Sequence, residues 1–157
     1  MASTLPVLGL CLFSLVFLST PHLSLSQKPD FHDVLLKYGL PRGLIPNNVD
    51  SYAVEGASGY FTVWLSRPCV VRLGSIQLWY SDRITGRISS AFMTELDGIL
   101  AQIEKITLPL TLFQSIFHGR FIRVRVGTTI QNLDGSLFED IPVCLSADEP
   151  VLVRSVV

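Results

Sequence analysis

Two spacings of apolar residues divide this chain. Phe31, Val34, Leu35 and Tyr38 recur at i, i+3, i+4 and i+7, which predicts a short amphipathic helix. Asp30 stands at its N-cap, with Asp33 in the first turn and Lys37 in the last, both favourable to the helix dipole. His32 falls on the side of this helix assigned to solvent. From Asp50 onward the period becomes two. Between the regimes lies Tyr38-Gly-Leu-Pro-Arg-Gly-Leu-Ile-Pro46-Asn-Asn-Val, where Gly39 suits a left-handed helix end and Pro41 and Pro46 bar continuation. This stretch reads as a rigid corner, and Arg42, its only charged side chain, is expected in water.

Residues 50–55 and 60–65 flank Gly56-Ala57-Ser58-Gly59 and predict a hairpin. Large apolar groups on both faces of 60–65 predict a strand covered on both sides. Arg67-Pro68 breaks it, 69–73 follows, and Gly74-Ser75 turns into 76–80. Residues 83–89 alternate, with Ile84 and Ile88 inward, Arg83 and Arg87 outward, and Gly86 marking a bulge or close approach. Residues 93–105 fit a helical period as well as a strand. Gly98 in the middle costs a helix about 1 kcal/mol and favours a strand, with Ile99, Ala101 and Ile103 on one face of 99–106. Leu108, Leu110 and Leu112 alternate around Pro109, which demands an edge, an end or a bulge. His118-Gly119 is a turn, 121–126 is a half-buried strand, and Asn132-Leu133-Asp134-Gly135 turns again. The fold class predicted is mainly β, a small antiparallel β-barrel or closed sandwich with one short N-terminal helix. Closure would remove open strand edges.

The start of the chain adds a compartment. Residues 5–18 are apolar, and small residues at Ser24 and Ser26 follow, the pattern of a signal peptide spanning 1–26. The block is shorter than the roughly 20 apolar residues of a bilayer span, so no transmembrane span is expected after cleavage. That leaves 27–157 as a single domain, secreted to the extracellular space or cell wall. Its 12 basic and 13 acidic residues provide no global field, which argues against a nucleic-acid partner. Cleavage removes Cys11 and leaves Cys69 and Cys144, either one disulfide or two separate buried thiols.

The order of Tyr38-Gly-Leu-Pro-Arg-Gly-Leu-Ile-Pro46, Gly59-Tyr-Phe-Thr-Val-Trp-Leu65, Pro68-Cys69, Leu78-Trp-Tyr80, Ile84-Thr-Gly86-Arg-Ile88-Ser89, Leu96-Asp-Gly98-Ile99, Ile122-Arg-Val-Arg-Val-Gly127 and Cys144 resembles the plant family called domain of unknown function 538. The likeness covers roughly residues 30–144. It implies a plant protein, often with a signal peptide, and a small barrel-like β domain with helix. It also implies either lipid binding of the bactericidal permeability-increasing type or a hydrolase role in stress and pigment turnover, and supplies no catalytic set. Where relatives tend to carry Leu-Phe-Leu-Trp, this chain has Lys105-Ile-Thr-Leu-Pro-Leu110, so a binding surface built on that tryptophan would be altered.

No residue pattern defines a reaction. His32 and His118 are the only histidines beyond the leader, Ser58 lacks the spacing of a nucleophile elbow, and the pairs Asp30 with Asp33 and Glu95 with Asp97 suit caps and turns. Neither a metal site nor a cofactor is implied, because histidine and cysteine ligands are not clustered and no dinucleotide fingerprint is present. Two constellations stand as binding candidates. Tyr60, Phe61, Trp64, Trp79, Leu108, Leu110, Phe113 and Phe117 would line a barrel interior that holds a lipid or other hydrophobic ligand, core packing being the plainer account. Arg83, Arg87, Arg123 and Arg125 would form a basic face for an anionic surface or acidic polysaccharide if their strands are neighbours, an ordinary solvated face being the plainer account. The function expected is a secreted, non-enzymatic module binding a hydrophobic ligand. The alternatives are an ester hydrolase and an extracellular protein binding acidic polysaccharide.

Overall fold

A computed structural model describes residues 28–146; the signal peptide read in 1–26 lies outside the described residues. Helix α1 (Phe31–Lys37) leads through a short 3₁₀ helix (Arg42–Leu44) into an antiparallel sheet of nine strands. These are β1 (Val49–Val54), β2 (Tyr60–Leu65), β3 (Cys69–Leu73), β4 (Ile76–Ser89), β5 (Phe92–Ile103), β6 (Ile106–Ile116), β7 (Phe121–Val126), β8 (Thr129–Asp134) and β9 (Leu145–Ser146). A second 3₁₀ helix (Gly135–Phe138) follows β8. The order across the sheet is β1-β2-β4-β5-β6-β7-β8, with β3 pairing β4 and β9.

The sheet is mainly antiparallel β as the spacing predicts, but it does not close into a barrel, since β1 and β8 end the order without pairing. One reason is that the helix and corner occupy the inner face: Phe31, Leu35, Leu40, Leu44 and Ile45 join Phe61, Ile84, Met93, Phe113 and Phe138 in a single core. Alone, a seven-residue helix has little stability. Burying Phe31 and Leu35, each contributing about 1.5–3 kcal/mol, holds α1 to the sheet.

Several local readings differ from the structure. β2 is covered on one face only, because Tyr60 and Trp64 point outward while Phe61, Val63 and Leu65 are buried. The segments 76–80 and 83–89 are one strand bent by register shifts, and Gly86 does sit at such a shift, packed between Phe61 and Leu96. β5 runs as a strand through Gly98, whose φ of 91° places it in the left-handed region. Ile106 starts β6 rather than ending β5, since Glu104 takes a positive φ at the turn. Pro109 lies in β6 beside the shift between Leu110 and Leu112. Asn132 to Asp134 remain in β8, and the chain turns only at Gly135.

Candidate functional site

The corner ties most of the molecule together. α1 ends as Gly39 (φ 74°) donates to Leu36 at 2.9 Å and Leu40 donates to Leu35 at 3.0 Å, the paired bonds of a Schellman cap. His32, only 4% exposed, does not face water. Its Nδ1 lies 2.9 Å from Asp30 Oδ1, and its Nε2 lies 3.2 Å from the carbonyl oxygens of Ile45 and Pro46. Asp30 also accepts the His32 backbone N–H. Partial burial would raise the Asp30 pKa, yet the hydrogen bonds and charge of His32 outweigh it and hold it below the usual carboxylate value. Arg42 is paired with Asp33 rather than free. Gly43 must be glycine, because a Cβ there would lie 2.4 Å from the carbonyl oxygens of Phe138 and Asp140.

The tail closes on the same corner. Asn47 donates its N–H to Pro142 at 3.0 Å, and its side-chain oxygen accepts from the Cys144 N–H at 3.0 Å. Cys144 is joined to Cys69 by a disulfide, which resolves the two readings of the cysteines. β9 then pairs with β3 at Cys69 and Val70.

The start of the corner, Tyr38 to Pro41, lines an open groove of about 790 Å³. One wall is Leu36, Lys37 and the run Tyr38-Gly-Leu-Pro41; the other is built from the β4–β5 turn at Ser90 and Ala91, Ser115, and the β6–β7 turn at His118. Ala91 fixes the two walls, donating to the Tyr38 carbonyl at 2.6 Å while its own carbonyl accepts from Ser115 at 2.9 Å. Three non-glycine residues at this end adopt left-handed backbone: Ala91 (φ 63°), Phe117 (φ 49°) and His118 (φ 57°). Each such residue costs about 1–2 kcal/mol, and strain of this kind gathers where backbone geometry serves function. Leu36, 49% exposed, and Pro41 give the groove an apolar patch. Lys37, Tyr38, His118 and Glu139 supply its charged or titratable groups.

The residues singled out in the sequence do not share one surface. Phe61, Leu110 and Phe113 are core; Tyr60, Trp64 and Leu108 are exposed; Trp79 is half-buried on the outer face; and Phe117 is exposed at the β6–β7 turn, edge-on to Phe121. The space inside the core lined by Leu78, Phe113 and Phe138 is about 10 Å³, smaller than any lipid or drug-sized ligand needs. Arg83 and Arg87 on β4 are separated from Arg123 and Arg125 on β7 by β5 and β6, and the condition for a common basic face is not met. Arg87 lies over the Tyr60 ring at 4.3 Å and 3.8 Å from Glu95; Tyr60 first and then Glu95 push its pKa higher still. Arg123 donates to Asn132 and Gln114. Ser58 donates to Glu55 within its turn. Among the described residues no hydrogen bond joins His118 to a serine or carboxylate, and no cluster of histidine, cysteine and acidic residues has metal-binding geometry. The groove itself escapes sequence reading because four separate segments form it; its one legible sign is the glycine- and proline-rich corner.

An open antiparallel sheet seated on a helical corner, with a groove where the corner meets the hairpin tips, defines a small β-rich domain with a surface cleft. The chain belongs to the family described as "Protein of unknown function, DUF538", which matches residues 31–139, from the start of α1 to just past the second 3₁₀ helix. No curated protein and no solved structure matches it. No helix among the described residues is long and apolar enough to cross a membrane.

Proposed function

We propose that this domain is an exported, non-enzymatic module that binds a lipid or other amphipathic ligand in the corner groove. The observation that carries the reading is the groove itself: its volume of about 790 Å³ falls in the range of small-molecule sites, and its wall is the Tyr38 to Pro41 corner. An apolar patch at Leu36 and Pro41 suits a hydrocarbon portion, and Lys37, His118 and Ser115 suit a polar head. The apolar leader of residues 1–26 and the Cys69–Cys144 disulfide support an extracellular or cell-wall location.

Hydrolysis has less support: among the described residues neither Ser58 nor Ser115 is hydrogen-bonded to a histidine, and the Glu55 carboxylate that accepts from Ser58 lies in the same exposed turn, outside the groove. Native mass spectrometry of the protein purified from its source tests the reading. A co-purifying amphipathic molecule, lost from the Leu36→Glu variant, is the expected result. A ligand-free protein that also fails to take up a fluorescent fatty acid would sink it.

A further inference from the structure

The sheet ends on two strands with unlike exteriors. The edge of β1 is occupied and interrupted: the Lys28 ammonium donates to the Tyr52 carbonyl, the Tyr52 hydroxyl to the Pro29 carbonyl, and a register shift between Val49 and Ser51 breaks the ladder. Such devices keep an edge from pairing with another chain. β8 has none of them. Its sequence Thr-Ile-Gln-Asn-Leu-Asp contains no proline or lysine, pairs with β7 in unbroken register, and carries one charge, at its last position. Among the described residues no backbone hydrogen bond from an element other than β7 reaches it. Every second N–H and C=O of this edge is therefore left for a further strand.

We propose that β8 pairs antiparallel with β8 of a second copy of this chain, about a two-fold axis through Gln131, so that two sheets become one. The inference is independent of the groove. Residues opposite each other in an antiparallel pair share a face. On this axis Gln131 meets Gln131, Ile130 meets Asn132, and Thr129 meets Leu133. Asp134 falls opposite Thr128, so like charges do not meet, and the strand is complementary to itself. Ile130, 53% exposed on the outer face, gains cover from the second copy. On the inner face, Leu133 of the second copy arrives at the Thr129 end of β8. There Ile106, Leu108, Thr129 and Gln131 line an open hollow of about 290 Å³.

Sedimentation velocity across a wide concentration range, together with hydrogen exchange at the β8 amides, tests this. The expected result is a reversible monomer–dimer equilibrium in which β8 amides become protected as dimer forms. The I130K/N132K variant sets lysines opposite one another and weakens association by about tenfold or more. I130K/N132D sets lysine opposite aspartate and restores it. Both side chains are exposed, so both variants keep the wild-type circular dichroism, although I130K/N132K, which loses the Arg123–Asn132 bond and faces Arg123 and Arg125 with lysines, lowers Tm modestly. A wild-type chain that stays monomeric throughout overturns the proposal, as does a dimer indifferent to I130K/N132K. Protection of β8 amides in the monomer also overturns it, placing other residues of the same chain on the edge. Failure of I130K/N132D to restore association overturns the axis through Gln131.

Discussion

The hydroxyl of Tyr80 donates to the carbonyl oxygen of Leu44 at 3.0 Å inside the core, joining the middle of the longest strand to the corner. Both groups are cut off from water, so removing the donor leaves the Leu44 carbonyl unpaired. Tyr80→Phe is expected to lower stability by about 1–3 kcal/mol, measured by urea denaturation. Burial also raises the Tyr80 pKa well above its usual 10.0. A group held protonated in the folded state stabilises fully below its unfolded pKa, and that contribution is lost as pH rises above it. The wild-type Tm should therefore fall above pH 10, and Tyr80→Phe should flatten that decline.

Asp30 and His32 make the corresponding prediction for acid. The Asp30 pKa is held below 3.8, so the stability it contributes is present above that pH and is lost as pH falls below it. Asp30→Ala removes both the cap of α1 and the partner of His32 Nδ1, and should cost about 1 kcal/mol at neutral pH. A melt series from neutral to acid pH should show the variant and wild type converging at the acid end.

These two sites show what the sequence could reveal. The helix, its cap and the Gly39 terminus follow from local spacing, as does the alternation of β7. Gly98 gave the right answer for β5 because a left-handed φ suits a bulged strand and weakens a helix. The burial of His32 is not legible locally, because helix spacing says which side chains face the helix's own sheet, not that the chain folds back to cover the other side with Ile45 and Pro46. The arginine face failed for a related reason: alternation gives the face of each strand, whereas neighbours depend on pairings between distant segments, and β5 and β6 intervene. The groove is non-local in the same sense, and an open sheet could not be told from a closed barrel without knowing that the corner fills its inner face.

The disulfide supports a different part of the fold. Cys69 and Cys144 lie 75 residues apart, a separation at which removal of the bond costs roughly 2–5 kcal/mol. The C69S/C144S variant should melt earlier than wild type. Because β9 and the Asn47 contacts sit at this end, the amides of residues 144–146 should exchange faster in the variant while those of β5 change less.

The groove makes its own prediction. Leu36→Glu alters an exposed side chain, so Tm should stay near wild type while binding of a fluorescent fatty acid weakens several-fold. Ala91→Gly relaxes a strained backbone without touching the apolar patch, and should leave stability equal or slightly higher. A binding change in Ala91→Gly larger than in Leu36→Glu would show that wall spacing matters more than the apolar patch.

β4 meets β3 along residues 76–80 and β2 along residues 83–87 on the same side, while β5 follows its other side. The two ladders are thus set by the few residues between them, at 81 and 82, both with exposed side chains. Their identity is free to vary, but their number is not. Removing one would turn every residue of one ladder to the opposite face of the sheet relative to the other. Natural insertions and deletions should therefore avoid this exposed stretch and collect at hairpin tips such as residues 74–75 and 104–105, where added length disturbs no second register.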